Sequence, residues 1–254
     1  MPRAKRYYVP GLTWHITDRC HKGEFLLKFS RDRKRWLHWL FEAKKRYGLC
    51  ILNYSITSNH IHLIVFDKGK INVIPESVHL AAGRTAQEYN ERKGRSGAFW
   101  GDRYNATAVE TDSYLHRCMI YIDLNMVRAG VVSHPREWPH CGYKEIMSNR
   151  QRYKLIDIDI LKSFLNLNSQ KELQTCYEDW IAEAIETNNL KREGMWTESV
   201  AVGSKIFVEK ISKKLGKKAR GRKLIDHKGT FELREQKCSY RPHFPSKIDP
   251  LRPK

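Results

Sequence analysis

No stretch of this chain approaches the run of about 18 apolar residues that a membrane-crossing helix needs, so nothing in it is expected to span a bilayer. The basic start, Met-Pro-Arg-Ala-Lys-Arg-Tyr-Tyr, lacks the apolar stretch of a signal peptide. There is no Cys-x-x-Cys. Cys20, Cys50, Cys118, Cys141, Cys176 and Cys238 are scattered, which excludes a zinc knuckle or a disulfide framework and fits a reducing cytoplasm. No internal repeat is visible. Acidic side chains are scarce: 28 Asp and Glu stand against 47 Lys and Arg in 254 residues, a net charge of +19. An excess of that size points to a polyanionic partner, and nucleic acid fits better than a membrane surface.

What is present divides by charge. Residues 1–150 carry 25 basic and 14 acidic side chains, net +11; residues 151–202 are net −3; residues 203–254 return to net +11. In the first part, Thr13 to Thr17 alternates as a strand. A helix capped by Ser30 or Asp32 runs to about Tyr47, with Trp36, Leu37, Leu40, Phe41 and Lys44 at helical spacing. Leu49–Ile56 and His60–Phe66 read as a hairpin around Thr57-Ser58-Asn59. Pro75 falls near the first turn of a second helix reaching about Arg92, followed by a flexible basic loop and a strand over Tyr104–Glu110. The order β-α-β-β-α-β is that of a ferredoxin-like antiparallel sheet with two helices on one face, an α+β fold. A third helix starts after Thr111 or Asp112 and runs to Gly130, with Leu115, Cys118, Ile122 and Met126 as its apolar stripe.

Chemistry concentrates in two places. His60 and His62 sit at i and i+2 of a strand, so both imidazoles project from one face while Ile61, Leu63 and Val65 take the other. Such a pair can hold one metal ion and leave coordination positions open. With 11 histidines in the chain, chance supplies roughly one such pair in every two sequences of this composition, and two idle histidines on a half-exposed strand are the bland alternative. On the third helix Tyr121 offers a phenol able to attack phosphorus, and Asn125, one turn on, an amide oxygen beside it. Tyr114, seven residues earlier, is the rival nucleophile; His15 and His116 are candidates for the neighbourhood of the site but read better as satisfied structural histidines.

These segments together resemble the REP-associated tyrosine transposases, single-tyrosine members of the HUH endonuclease superfamily. The matching stretches are Tyr7-Tyr8 through Thr17, Ser58-Asn59-His60-Ile61-His62-Leu63, Phe99-Trp100-Gly101-Asp102-Arg103-Tyr104, and Tyr121-Ile122-Asp123-Leu124-Asn125-Met126-Val127-Arg128-Ala129-Gly130. They cover roughly residues 1–145 in the family's order. Met126 stands where the family usually has proline, which removes a rigid helix stop and no catalytic group. The resemblance implies that His60 and His62 bind Mg²⁺ or Mn²⁺ with Asn125 as third ligand. Tyr121 would be the nucleophile of a transesterification on single-stranded or hairpin DNA, passing through a 5′-phosphotyrosine. It also implies that an N-terminal arm with Arg3, Lys5 and Arg6 helps recognise the DNA, and Arg103 reads naturally as a backbone contact.

The expected organisation is a transposase domain over 1–150 and a helical extension over 151–254. That extension has helices near Ile158–Leu165, Cys176–Ile185 and Ile206–Leu215, a basic run from Gly216 to Lys223, and a poorly ordered tail over 228–254. The expected protein is a cytoplasmic, nucleoid-associated DNA nickase and strand-transferase acting on REP-like repeats, as a monomer or a homodimer. Two rivals stand beside it. One is a catalytically silent DNA-binding protein or repressor of repeat sequences; the other is a plasmid-type replication initiator or relaxase.

Overall fold

The computed structural model describes residues 9–148, 153–187, 190–219 and 221–235. Arg3, Lys5, Arg6, the Tyr7-Tyr8 pair and residues 236–254 lie outside them. The first strand, β1 (Thr13–Arg19), leads into helix α1 (Ser30–Tyr47), then strands β2 (Cys50–Ile56) and β3 (His60–Phe66), helix α2 (Val73–Lys93) and strand β4 (Asn105–Val109). These strands lie side by side as β2-β3-β1-β4, all antiparallel, which is the ferredoxin-like arrangement.

Local chemistry explains the elements. β2 is buried along its whole length, as its apolar run requires. Thr57 closes the hairpin: its backbone N–H donates to the His60 carbonyl at 2.9 Å, and its hydroxyl oxygen accepts from the N–H groups of Asn59 and His60. Helix α1 stops at Gly48, whose left-handed backbone lets its N–H reach the Lys44 carbonyl. Neither Ser30 nor Asp32 caps the start of α1, as the sequence suggests they would. Phe29 occupies the cap position, the Ser30 hydroxyl meets His140 Nε2 at 3.1 Å, and Asp32 pairs with Arg92 of α2. That pair, together with Arg35 gripping both carboxylate oxygens of Glu88, ties α1 to α2. Asp18 of β1 shares a cavity wall with Pro75, Val78 and Ala82 of α2, so these helices cover the Asp18 face of the sheet.

The other face carries α3 (Ser113–Asp123), which stops at Leu124 and is followed by a separate short turn, α4 (Asn125–Arg128). The expected single helix to Gly130 is therefore broken between Tyr121 and Asn125. The helix starts after Asp112, as expected, but that residue adopts a positive φ and its carboxylate accepts from Asn166 instead of capping the first turn. Beyond it come α5 (Tyr143–Met147), α6 (Ile158–Phe164), α7 (Gln170–Glu186), α8 (Met195–Glu198), strand β5 (Ser199–Gly203), α9 (Lys205–Leu215), and strands β6 (Arg222–His227) and β7 (Thr230–Glu235).

The last third supplies the expected helices and, beyond expectation, three strands. β5 pairs in parallel with β4 through Ala108–Ala201 and Val109–Val202, β7 pairs with β5, and β6 forms the edge. The sheet is continuous as β2-β3-β1-β4-β5-β7-β6. At the turn into α9, a side chain at Gly203 would stand 2.7 Å from both Glu110 Oε2 and Phe207 Cδ1, so only glycine fits there. Residues 230–235 are thus an ordered strand, against the expectation of a poorly ordered stretch; the sheet edge that β5 offers gives them a partner the sequence does not reveal.

Candidate active site

His62 lies directly opposite Thr17 in the β1–β3 register, and His60 opposite Arg19. Alternation sends both imidazoles to the face occupied by α3 and α4. The break at Leu124 brings the Asn125 amide over them: its Nδ2 is 3.3 Å from His60 Nε2 and 2.9 Å from His62 Nε2. Residues from a hairpin and from a helix turn more than sixty positions later thus share one point. Tyr121, on the last turn of α3, stands beside them, its ring 6.1 Å from that of His62 and nearly perpendicular to it.

The His60 ring is oriented by its own turn. Its Nδ1 lies 2.9 Å from Thr57 Oγ1 and 2.6 Å from Asn59 Oδ1. The single Thr57 hydroxyl proton goes to the His60 carbonyl, so both neighbours accept, and the proton sits on Nδ1. The Nε2 lone pair is left facing Asn125. Burial, with Arg19 and Arg128 nearby, holds His60 down to about 4, and burial with His60, His15 and Arg128 holds His62 well below its ordinary value. Both rings are neutral at pH 7, the form that ligates metal.

A metal ion is compatible with this donor set. Two lone pairs converge on a side-chain amide whose oxygen, once rotated inward, completes a third donor. Imidazole is the less usual donor to Mg²⁺, so the set suits Mn²⁺ at least as well. No three His, Cys, Asp or Glu residues form a metal-holding group among the described residues.

Arg128 shapes the surroundings of Tyr121. Its guanidinium lies 4.2 Å from the centre of the tyrosine ring and donates to the Tyr121 carbonyl at 2.7 Å. Burial raises the Tyr121 phenol above its ordinary value, with Arg128 and Arg192 pulling the other way. Tyr121 also walls a cavity of about 240 Å³ with Arg117, Arg128, Trp180 and Lys191 and the carboxylates of Glu183 and Glu193. Tyr114 is elsewhere: its hydroxyl points to the Gly229 carbonyl at 3.4 Å, in the β6–β7 turn. Arg103 is exposed on the α2 side of the sheet, on a cavity of about 480 Å³ with Trp100 and Tyr104.

Two neighbours of the site are only partly legible in the sequence or not at all. His15 of β1 sits against His62, and Trp196 of α8 has its ring 6.3 Å from that of Tyr121. Strand alternation at Thr13–Thr17 can place His15 on a face but not opposite a strand 47 positions away. Trp196 carries no signal at all.

The model of the family described as transposase IS200-like matches residues 8–125. Among solved structures, one is described as a REP-associated tyrosine transposase bound to a REP hairpin. It is 19% identical, with 59% of this chain and 87% of that chain covered and a TM-score of 0.47. A putative transposase from Deinococcus radiodurans R1 is 16% identical, with 41% and 83% covered and a TM-score of 0.31. No curated protein matches.

Proposed function

We propose that this chain, whose residues 8–125 match the model of the IS200-like transposase family, nicks single-stranded or hairpin DNA and rejoins the strand through a phosphotyrosine, as a REP-associated tyrosine transposase. The observation that carries the reading is the meeting of Tyr121 with His60, His62 and Asn125 on one sheet face.

The Tyr121 oxygen attacks the scissile phosphorus. As the new P–O bond forms, the bond to the 3′-oxygen breaks; the phenol gives up its proton and the departing oxygen takes one up. The products are a 5′-phosphotyrosine and a free 3′-hydroxyl. Attack by a 3′-hydroxyl on that link reverses the step and restores the phenol, so no nucleotide triphosphate is consumed. Arg128, stacked on the ring, favours the phenolate and offers charge to the phosphate. His60, His62 and Asn125 would hold Mg²⁺ or Mn²⁺, which when bound polarises the scissile phosphate and offsets its developing charge.

In this reading residues 1–150 carry the chemistry, and residues 151–254 form an extension whose basic last part, 203–254, helps grip the strand. The basic arm of Arg3, Lys5 and Arg6 helps recognise the bases flanking the hairpin, and Arg103 contacts the phosphate backbone. The REP-like repeat as target, the nucleoid as location and a homodimer as assembly belong to the same proposal and rest on resemblance alone.

The test is incubation of the full chain with end-labelled single strands bearing candidate hairpins, with Mn²⁺ or with EDTA, resolved on denaturing gels. A metal-dependent nick with a protein–DNA adduct is expected. Tight binding with no nick on any substrate would favour the silent binder instead.

A further inference from the structure

The sequence reads His15 as a structural histidine, yet its neighbours form a directed chain that ends on the metal-facing nitrogen of His62. His15 Nδ1 lies 2.8 Å from the backbone carbonyl of Trp196, and His15 Nε2 lies 3.0 Å from His62 Nδ1. A carbonyl oxygen only accepts, so the Trp196 pairing requires the proton on His15 Nδ1. A neutral His15 then has a bare Nε2, which must accept from His62 Nδ1. With its proton on Nδ1, His62 turns an unprotonated Nε2 toward Asn125. The Asn125 amide nitrogen, 2.9 Å away and able only to donate, requires that same arrangement from the other side. Both ends of the chain therefore agree.

We propose that His15 is a positioning residue which, anchored by the Trp196 carbonyl of α8, locks His62 in its Nδ1–H tautomer and aims the Nε2 lone pair into the site. The lock draws on residues beyond 8–125. Trp196 belongs to the extension, held there by the parallel pairing of β5 with β4 and by the Thr107 hydroxyl donating to the Ser199 carbonyl at 2.6 Å. The last third of the chain thus sets the protonation pattern of a residue in the first. Both rings are buried, 5.1 Å between centres with their planes within 18° of each other, an environment that disfavours a second proton on either. Partners of this kind orient ligating imidazoles and raise their basicity; removing one costs about 10–100-fold in metal affinity.

The proposal rests on His62 being a metal ligand, and the experiment separates the two. Full-length protein labelled with ¹⁵N at the histidine rings is examined, without metal or DNA, by long-range ¹H–¹⁵N correlation NMR. Mn²⁺ affinity is read separately by electron paramagnetic resonance of free Mn²⁺. The wild type should show His62 with a pyrrole-like Nδ1 and a pyridine-like Nε2. His15→Phe keeps a ring but offers no acceptor, so His62 should shift toward the other tautomer and Mn²⁺ affinity should fall about 10–100-fold. His15→Gln presents an amide oxygen to the same N–H and should recover most of that affinity. A merely structural role would make both variants alike. A wild-type His62 protonated on Nε2 overturns the proposal outright, even if the phenylalanine variant fails to fold. So does a folded His15→Phe with unchanged tautomer and Mn²⁺ affinity. Absence of Mn²⁺ binding in a wild type with the expected tautomer would withdraw the metal assignment and leave the lock in place.

Discussion

At the scale of single residues, the site reads as four groups with separable jobs. Tyr121→Phe removes one oxygen at a position whose ring packing against His62, Trp196 and Arg128 needs no hydroxyl. Adduct formation should drop by on the order of 10³-fold or more while hairpin binding stays within about twofold. Tyr114→Phe removes a hydroxyl that meets the Gly229 carbonyl in the β6–β7 turn, and should nick like the wild type. A gel showing the reverse pattern would hand the role to Tyr114. Buried histidines also fix a pH dependence. His15, His60 and His140 are each held down to about 4 by burial, below an unfolded value of 6.5. The unfolded chain therefore takes up protons first, and their stability, complete above pH 6.5, is lost as pH falls toward 4. Asp123 runs the other way, since burial raises it to about 7 and its contribution is lost as pH rises through that value. With His62 also held down, and Asp32 and Glu145 raised like Asp123, four buried histidines stand against three carboxyls, each worth up to about 1.4 kcal/mol per pH unit, and give a net loss of stability on acidification from 6.5 to 4. Urea midpoints that stay flat across this window would refute the assignment.

At the scale of elements, much of the core is legible because period and punctuation agree. Alternation in His60–Phe66, the turn chemistry of Thr57-Ser58-Asn59 and the helical spacing from Trp36 to Lys44 each have one reading, and each element stands within a residue or two of it. Caps are less legible: Ser30 and Asp32 are good caps in isolation, but His140 and Arg92 compete for them at long range. The stop at Leu124 has no glycine or proline to announce it, yet it brings Asn125 over the histidines. Strands β5 and β6 are hidden differently. Ser-Val-Ala-Val-Gly is short, and Arg-Lys-Leu-Ile-Asp-His mixes charge into an edge, where charge belongs but masks the pattern. One buried cluster binds α3, β2 and α7: the Tyr177 hydroxyl donates to Asp123 Oδ2 at 2.5 Å, and Asn53 Nδ2 donates to the same oxygen at 3.2 Å. Tyr177→Phe removes a donor from a buried carboxyl group and should cost about 1–3 kcal/mol. In urea that is a lower midpoint at unchanged slope. An unshifted midpoint would mean that this hydrogen bond does not hold α7 to the core.

At the scale of the whole molecule, charge and structure part company in the last third. Residues 203–254 are as basic as the whole of 1–150, which suggests a phosphate-gripping tail. Part of that segment is sheet: β7 buries Leu233 and Glu232 against β5, and the Ser199 hydroxyl donates to the Glu232 carboxylate. Removing residues 203–254 would therefore strip two strands and α9 from the sheet, and an inactive product would say nothing about DNA. The informative cut falls after Glu235. Residues 236–254 hold five basic and one acidic side chain and follow the last described strand. Their deletion should leave the thermal midpoint and the nick at saturating substrate unchanged. If those cations meet phosphates, the slope of log K against log salt becomes shallower by about 0.7 for each single-strand phosphate they neutralise, equally for two unrelated hairpins. Charges that only solvate the chain would leave the slope as it was, and base-reading residues would change which hairpin is preferred. An unchanged slope would confine the electrostatic grip to the cations of the remaining chain, with the Tyr121 cavity and its Arg117 and Lys191 the first place to look for it.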